Sequence, residues 1–141
     1  MKLNPDCMRA VMLEIENTWE LDTDSEGNIC MGNVNIQNLY KALPKYTKED
    51  IFYSVYNLHQ AGYLDVSILW ADGGVAVECD INFMTYYGHE FLNRIHDPKC
   101  WAAVKGGLSA VRNYSLDAIN SIASGITSAA IAAYLEKNPI I

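Results

Sequence analysis

Residues Tyr46–Ile81 read YTKEDIFYSVYNLHQAGYLDVSILWADGGVAVECDI, and the hydrophobic period changes partway along them. Ile51, Val55 and Leu58 recur at helical spacing. Thr47 precedes them with a hydroxyl suited to accept an unpaired backbone N–H, and Gly62 stands where a left-handed C-terminal residue is wanted. Beyond Gly62, Leu64, Val66, Ile68 and Trp70 alternate with polar or smaller residues, and so do Val75, Val77, Cys79 and Ile81. Period two predicts two strands, each presenting one face to a core. Asp72-Gly73-Gly74 between them supplies residues free to adopt positive φ, so the strands are expected to close as a tight hairpin whose register is set by burying that apolar face. A helix running through glycine into such a hairpin is how a winged-helix module ends.

Upstream, Asn4-Pro5-Asp6 predicts a helix start: Asn caps, Pro is tolerated in the first turn, and Asp suits the positive end of the dipole. Met8, Val11, Met12 and Ile15 then form one apolar face. Asn17–Gly32 is acidic and rich in turn formers, which predicts a loop. Ile36, Leu39, Tyr40 and Leu43 have helical spacing until Pro44 stops the run. The expected order of helix, loop, helix, helix, hairpin matches a helix-turn-helix with a wing, whose third helix would be the one placed in a DNA major groove.

Downstream, Thr85–Leu92 opens a short helix carrying Phe91, Leu92 and Ile95 that ends before Pro98. Trp101–Val111 is read as a helical segment interrupted at Gly106-Gly107, where a hinge is expected because glycine weakens helices. Ser115 caps a last run to Asn138 whose only charge between Leu116 and Leu135 is Asp117. Leu116, Ile119, Ile122, Ala123, Gly125, Ile126, Ala129, Ala130 and Ala133 make its apolar and small-residue surface, with small residues recurring every four positions so that helix backbones can approach closely. This helix is assigned to oligomerisation. Its richness in Ala, Ser and Thr makes membrane insertion weakly driven, so membrane contact is not expected. The expected division is a winged-helix-like domain over 1–97 and a C-terminal helical segment over 98–141, an α+β fold overall.

The chain has 141 residues, half of them hydrophobic, with 17 acidic and 10 basic side chains and a formal net charge of −7. Such a balance opposes general attraction to phosphate. Base-free gaps run from Arg9 to Lys41 and from Lys48 to Arg94, and the first holds Glu14, Glu16, Glu20, Asp22, Asp24 and Glu26. Lys41, Lys45 and Lys48 are the basic exceptions, clustered before the third helix. Cys7, Cys30, Cys79 and Cys100 are scattered, and no signal peptide is read, so a reduced, cytoplasmic setting with the cysteines as small hydrophobes is expected.

His89, His96 and Cys100 have ligand chemistry but no evident fourth partner, so no metal is expected. No phosphate-binding glycine loop, GxSxG elbow, HExxH pair or nucleophile–base pair is readable, and neither catalytic residues nor cofactors are assigned. Asp72 is read as a turn residue. The third helix turns Glu49, Tyr53, Tyr56, Asn57 and Gln60 away from its apolar stripe. Asn and Gln can read adenine edges, whereas tyrosines with amides also make a protein-contact face. Glu49 and Asp50 at the helix start oppose phosphate.

Met1–Cys7, Tyr46–Ile51, Ala61-Gly62-Tyr63-Leu64, Gly88–Leu92 and Ser115-Leu116-Asp117 together resemble an uncharacterised family, domain of unknown function 2513. The resemblance implies a small protein of Firmicutes and their phages or prophages, and no activity. The acidic stretch Asp22–Gly32 departs from the expected pattern. The leading expectation is a non-enzymatic, oligomeric phage or prophage protein that binds a protein partner through Tyr53, Tyr56, Asn57 and Gln60 or through the acidic segment Glu14–Glu26, which could mimic nucleic acid. One alternative is a dimeric transcriptional regulator with Lys41, Lys45 and Lys48 on phosphates and Asn57 and Gln60 on bases. Another is an oligomer sequestering a small nucleotide signal.

Overall fold

The computed structural model describes residues 1–139 and is α+β. The chain falls into two compact units, Met1–His89 and the part from Glu90 on.

In the first unit, α1 (Pro5–Thr18) starts where Asn4 accepts the Cys7 N–H at 3.1 Å and buries Cys7, Met8, Val11, Met12 and Ile15. The acidic connection then forms a two-stranded ribbon of β1 (Asp22–Thr23) and β2 (Ile29–Cys30), where only a loop was expected. Its turn is organised by Asp24, whose carboxylate accepts the Glu26 and Asn28 backbone N–H groups and the Asn28 side-chain amide. These bonds, those from Asn28 first, hold the Asp24 carboxyl below its usual pKa.

A short strand that periodicity could not reveal, β3 (Val34–Asn35), leads into α2 (Ile36–Ala42). Helix α3 (Lys48–Gln60) follows, capped by the Thr47 hydroxyl and burying Ile51, Ser54, Val55 and Leu58. It ends in a Schellman arrangement: Gly62 at φ 81° donates to the His59 carbonyl and Tyr63 to that of Leu58. The hairpin of β4 (Leu64–Ala71) and β5 (Val75–Met84) turns at Gly73 and Gly74, both at positive φ. All pairings are antiparallel, and the strand order β3-β5-β4 makes β5 central.

The hairpin departs from the period-two reading. Two register shifts leave Asn82 and Val77 as extra residues in β5. Trp70 therefore pairs with Ala76, and Val75 pairs with Ala71. Val75 thus leaves the face shared by Cys79 and Ile81. Burial is confined to the base, at Leu64, Val66, Cys79, Ile81 and Met84, while Leu69, Trp70, Val75 and Val77 are 49–57% exposed. The expectation of one buried side along the whole hairpin fails because the distal half projects beyond the helices that would cover it. Asn82 ties its bulge to the unit: its carbonyl accepts the Trp19 indole N–H at 2.7 Å, and its amide donates to Asp65 and Ser67.

Helix α4 (Tyr86–Ile95) spans the division between the units, and Thr85 caps it by accepting the Gly88 N–H. In the second unit α5 (Pro98–Val111) runs unbroken through Gly106-Gly107, so the expected hinge is absent. Gly107 instead gives α6 (Leu116–Lys137) room: a Cβ there would meet the Ile122 side chain at 3.1 Å. Close helix packing repays the lost propensity. Trp101, Val104 and Leu108 of α5 and Ile119 and Ala123 of α6 are buried, and Arg94 donates to Asn120 at 3.2 Å. Ile119 and Ala123 are therefore already consumed inside the chain. From Ser128 to Lys137 α6 is exposed.

The buried Ser54 hydroxyl has no oxygen or nitrogen partner, and the polar group beside it is the Cys7 thiol, a weak hydrogen-bonding group. Burying a hydroxyl against so weak a partner costs free energy, so Ser54→Ala should be neutral or stabilise the chain by up to about 1 kcal/mol. Leu58→Ala on the same buried stripe should destabilise it by about 3 kcal/mol. Denaturant titration of the two variants against the parent checks both expectations.

Candidate interaction face

The outward side of α3 is partly covered by the distal hairpin. Phe52 and Tyr56, one turn apart, stack with ring centroids 6.3 Å apart, and Trp70 of β4 meets Phe52 edge-on at 6.2 Å. These contacts leave Tyr53, Tyr56 and Asn57 half-buried and Gln60 exposed. Asn57 spends an amide proton on the Tyr53 carbonyl at 2.7 Å, which reduces what it can offer a base edge. Tyr56 and Gln60 line a shallow depression of about 390 Å³ with Val66, Ile68 and Trp70. His59 joins it, its Nδ1 3.2 Å from the Leu64 carbonyl oxygen.

Lys41, Lys45 and Lys48 are exposed. Lys48 lies 5.5 Å from the Tyr40 ring centroid and Lys45 lies 5.6 Å from that of Tyr46, within cation–π range. Burial raises the pKa of both tyrosine hydroxyls. The three lysines therefore flank the start of α3, and the hairpin adds no base to them: from Leu64 to Met84 its charged residues are Asp65, Asp72, Glu78 and Asp80.

A deeper cleft of about 350 Å³ opens between α2, α3 and the distal hairpin. Ile36 and Tyr40, Phe52 and Trp70, and Val77 and Glu78 line it, with Asn35 and Gln37 among the polar groups. Sequence reading missed Phe52, Trp70, Val77 and Glu78 as surface residues, because alternation places a side chain on a face without saying whether anything covers that face. The combination of apolar alternation with four acids and no base was the available signal. A further apolar cavity of about 320 Å³ is lined by Trp19, Met31, Phe83 and Met84 with Glu16 and His89. No group of three or more His, Cys, Asp or Glu residues suited to hold a metal ion occurs among the described residues.

Cys79 also lines the 350 Å³ cleft and is 2% exposed. Burial, and then the Asp80 charge, push its thiol up to about 11. The thiol is therefore protonated at neutral pH and is a poor nucleophile there. The raised value also makes stability pH-dependent. Below about 9, the ordinary value, the buried neutral thiol contributes fully; as pH rises toward about 11, an unfolded chain loses the proton first and that contribution falls away. Stability should drop by about 2 kcal/mol over this window, and Cys79→Ala should flatten the drop. Denaturant midpoints at successive alkaline pH values measure it.

No curated protein and no solved structure matches the chain. A family match extends over residues 2–113, taking in the first unit, α4 and α5 and stopping before Ser115-Leu116-Asp117 and α6. The chain belongs to the family described as Hypothetical protein (DUF2513).

Proposed function

We propose that this chain is a winged-helix-like protein that acts by binding a protein partner, without catalysis, and that α6 assembles it into an oligomer. The topology supports the winged-helix assignment: three helices precede a hairpin whose second strand also pairs with a short strand between the first and second helices. The observation that carries the protein-binding reading is the character of the wing. It projects Leu69, Trp70, Val75 and Val77 into solvent on a hairpin that holds four acids and no base. A wing that touches DNA needs cations for phosphate, whereas desolvated aromatic and aliphatic groups dominate protein contacts. Tyr53, Tyr56 and Gln60 of α3 extend that face; Asn57 belongs to it mainly as a positioning residue.

Exposure along the second half of α6 supports oligomerisation. Ala129, Ala130, Ile131, Ala133, Tyr134 and Leu135 are exposed on a helix with mean hydropathy 1.4 in its most apolar window. A second copy offers the same surface and would cover it. The phage or prophage setting follows the family resemblance, and a cytoplasmic location follows the scattered, unpaired cysteines.

Exposed Lys41, Lys45 and Lys48 beside α3 favour the DNA-binding regulator as the second reading. The two readings separate in one assay. On the protein-binding reading, labelled duplex DNA shows no binding at low salt, and changing the three lysines to Gln alters nothing. The regulator reading requires salt-sensitive binding that weakens with those changes. Light scattering tests assembly: the full chain should exceed its monomer mass, and Ala130→Glu with Ala133→Glu should return it to monomer. A monomeric parent removes the oligomer.

A further inference from the structure

The geometry points to the distal edge of β5 as a docking strand for an extended segment of a partner protein that alternates apolar residues with Lys or Arg. This rests on the protein-binding reading and adds a site and a chemistry to it.

Strand β3 covers only Asp80 and Ile81 of β5 before the chain turns into α2. Among the described residues no strand pairs with Val75–Cys79 on the side away from β4. Unpaired N–H and C=O groups along a strand edge are a template for another chain. Five residues at about 3.3 Å each give an edge about 16 Å long, shortened by the bulge at Val77. Side-chain contacts must supply the remainder. The edge borders the 350 Å³ cleft, which Ile36, Phe52, Trp70 and Val77 line together with Asn35 and Glu78, so every second side chain of an added strand would enter a hollow that offers aromatic and aliphatic contact beside polar groups.

The intervening side chains would meet charge. In the row of β5 that alternates with Cys79, Asp80 accepts the amide of Asn35 of β3 at 2.9 Å. Glu78 is the next residue of the same row on β5, and β3 has already ended before reaching it. A strand continuing β3 would place a residue beside Glu78, and a cation there satisfies it. A second copy of this chain joined edge to edge through β5 would bring Glu78 near Glu78, and DNA would bring phosphate to it. Both are opposed by like charge. An extended basic-apolar peptide satisfies the edge, the hollow and the carboxylate together.

The test uses the full chain and a capped octapeptide of alternating Lys and Val, with a Glu-Val counterpart and a version N-methylated along one backbone edge. Titration followed by amide NMR should shift signals from Val75–Cys79, Tyr40 and Trp70. The Lys-Val peptide should bind at least tenfold more tightly than either control, and Glu78→Lys should reverse the preference between Lys and Glu. Trp70→Ala should weaken binding of both peptides without changing that preference. Absence of shifts, shifts confined to other surfaces, or indifference to N-methylation overturns the docking strand.

A photo-crosslinking residue placed at Val77 or at Gln60 in living bacterial cells separates this idea from its foundation. A partner adduct from Val77 that is lost with Glu78→Lys supports the docking strand. Adducts from Gln60 alone overturn it while keeping a protein partner; a Val77 adduct of twice the chain's own mass overturns it in favour of self-association. No adduct from either position overturns both.

Discussion

The first unit depends on how its central strand, β5, divides its ten residues between two tasks. The C-terminal part must bury Ile81 and Met84 beneath the helices while pairing with β3 and β4. The N-terminal part carries Val75 and Val77 into solvent. A strand with strict period two would keep all these side chains on fixed faces, and a slip of one residue would turn the core outward. The extra residues Asn82 and Val77 absorb that conflict locally. Asn82 does so at little polar cost, because its carbonyl takes the Trp19 N–H and its amide finds Asp65 and Ser67. The bulge thereby also ties the end of α1 to the sheet.

From that division follows the character of the exposed surface. The distal hairpin is apolar, acidic and packed on α3 where Trp70 meets Phe52, itself stacked on Tyr56. Helix α3 is thus shared between its own core and the hairpin, and its Asn57 is bonded internally. The cleft beside the hairpin is built from elements separated in sequence. Its one thiol, Cys79, is held protonated by burial, so the cleft offers shape, apolar area and the Glu78 charge rather than a reactive group. The second unit solves a simpler packing problem, with Gly107 allowing α5 and α6 to meet closely while half of α6 remains uncovered.

Legibility in the sequence tracked the range of the interaction responsible. Asn4, Thr47 and Ser115 cap helices as their positions indicate, because a cap is settled within four residues. The apolar stripes of α1 and α3 are buried for a similar reason: helical spacing alone puts those side chains on one side. Gly106-Gly107 misled because intrinsic propensity argues for a break, whereas contact with Ile122 makes the missing side chain of Gly107 useful. Strand β3 was invisible, since two residues carry no period and exist as a strand only through Asp80 and Ile81 opposite them.

The amino-acid sequence alone thus determined the helices, the hairpin and its glycine turn, the acidic balance and the family, because each follows from local stereochemistry, composition or residue pattern. Tertiary structure decided that the hairpin's outer half is covered only where Phe52 meets Trp70, and that an open strand edge borders a cleft. Periodicity states which residues share a face; only the position of the other elements determines whether that face meets protein or water.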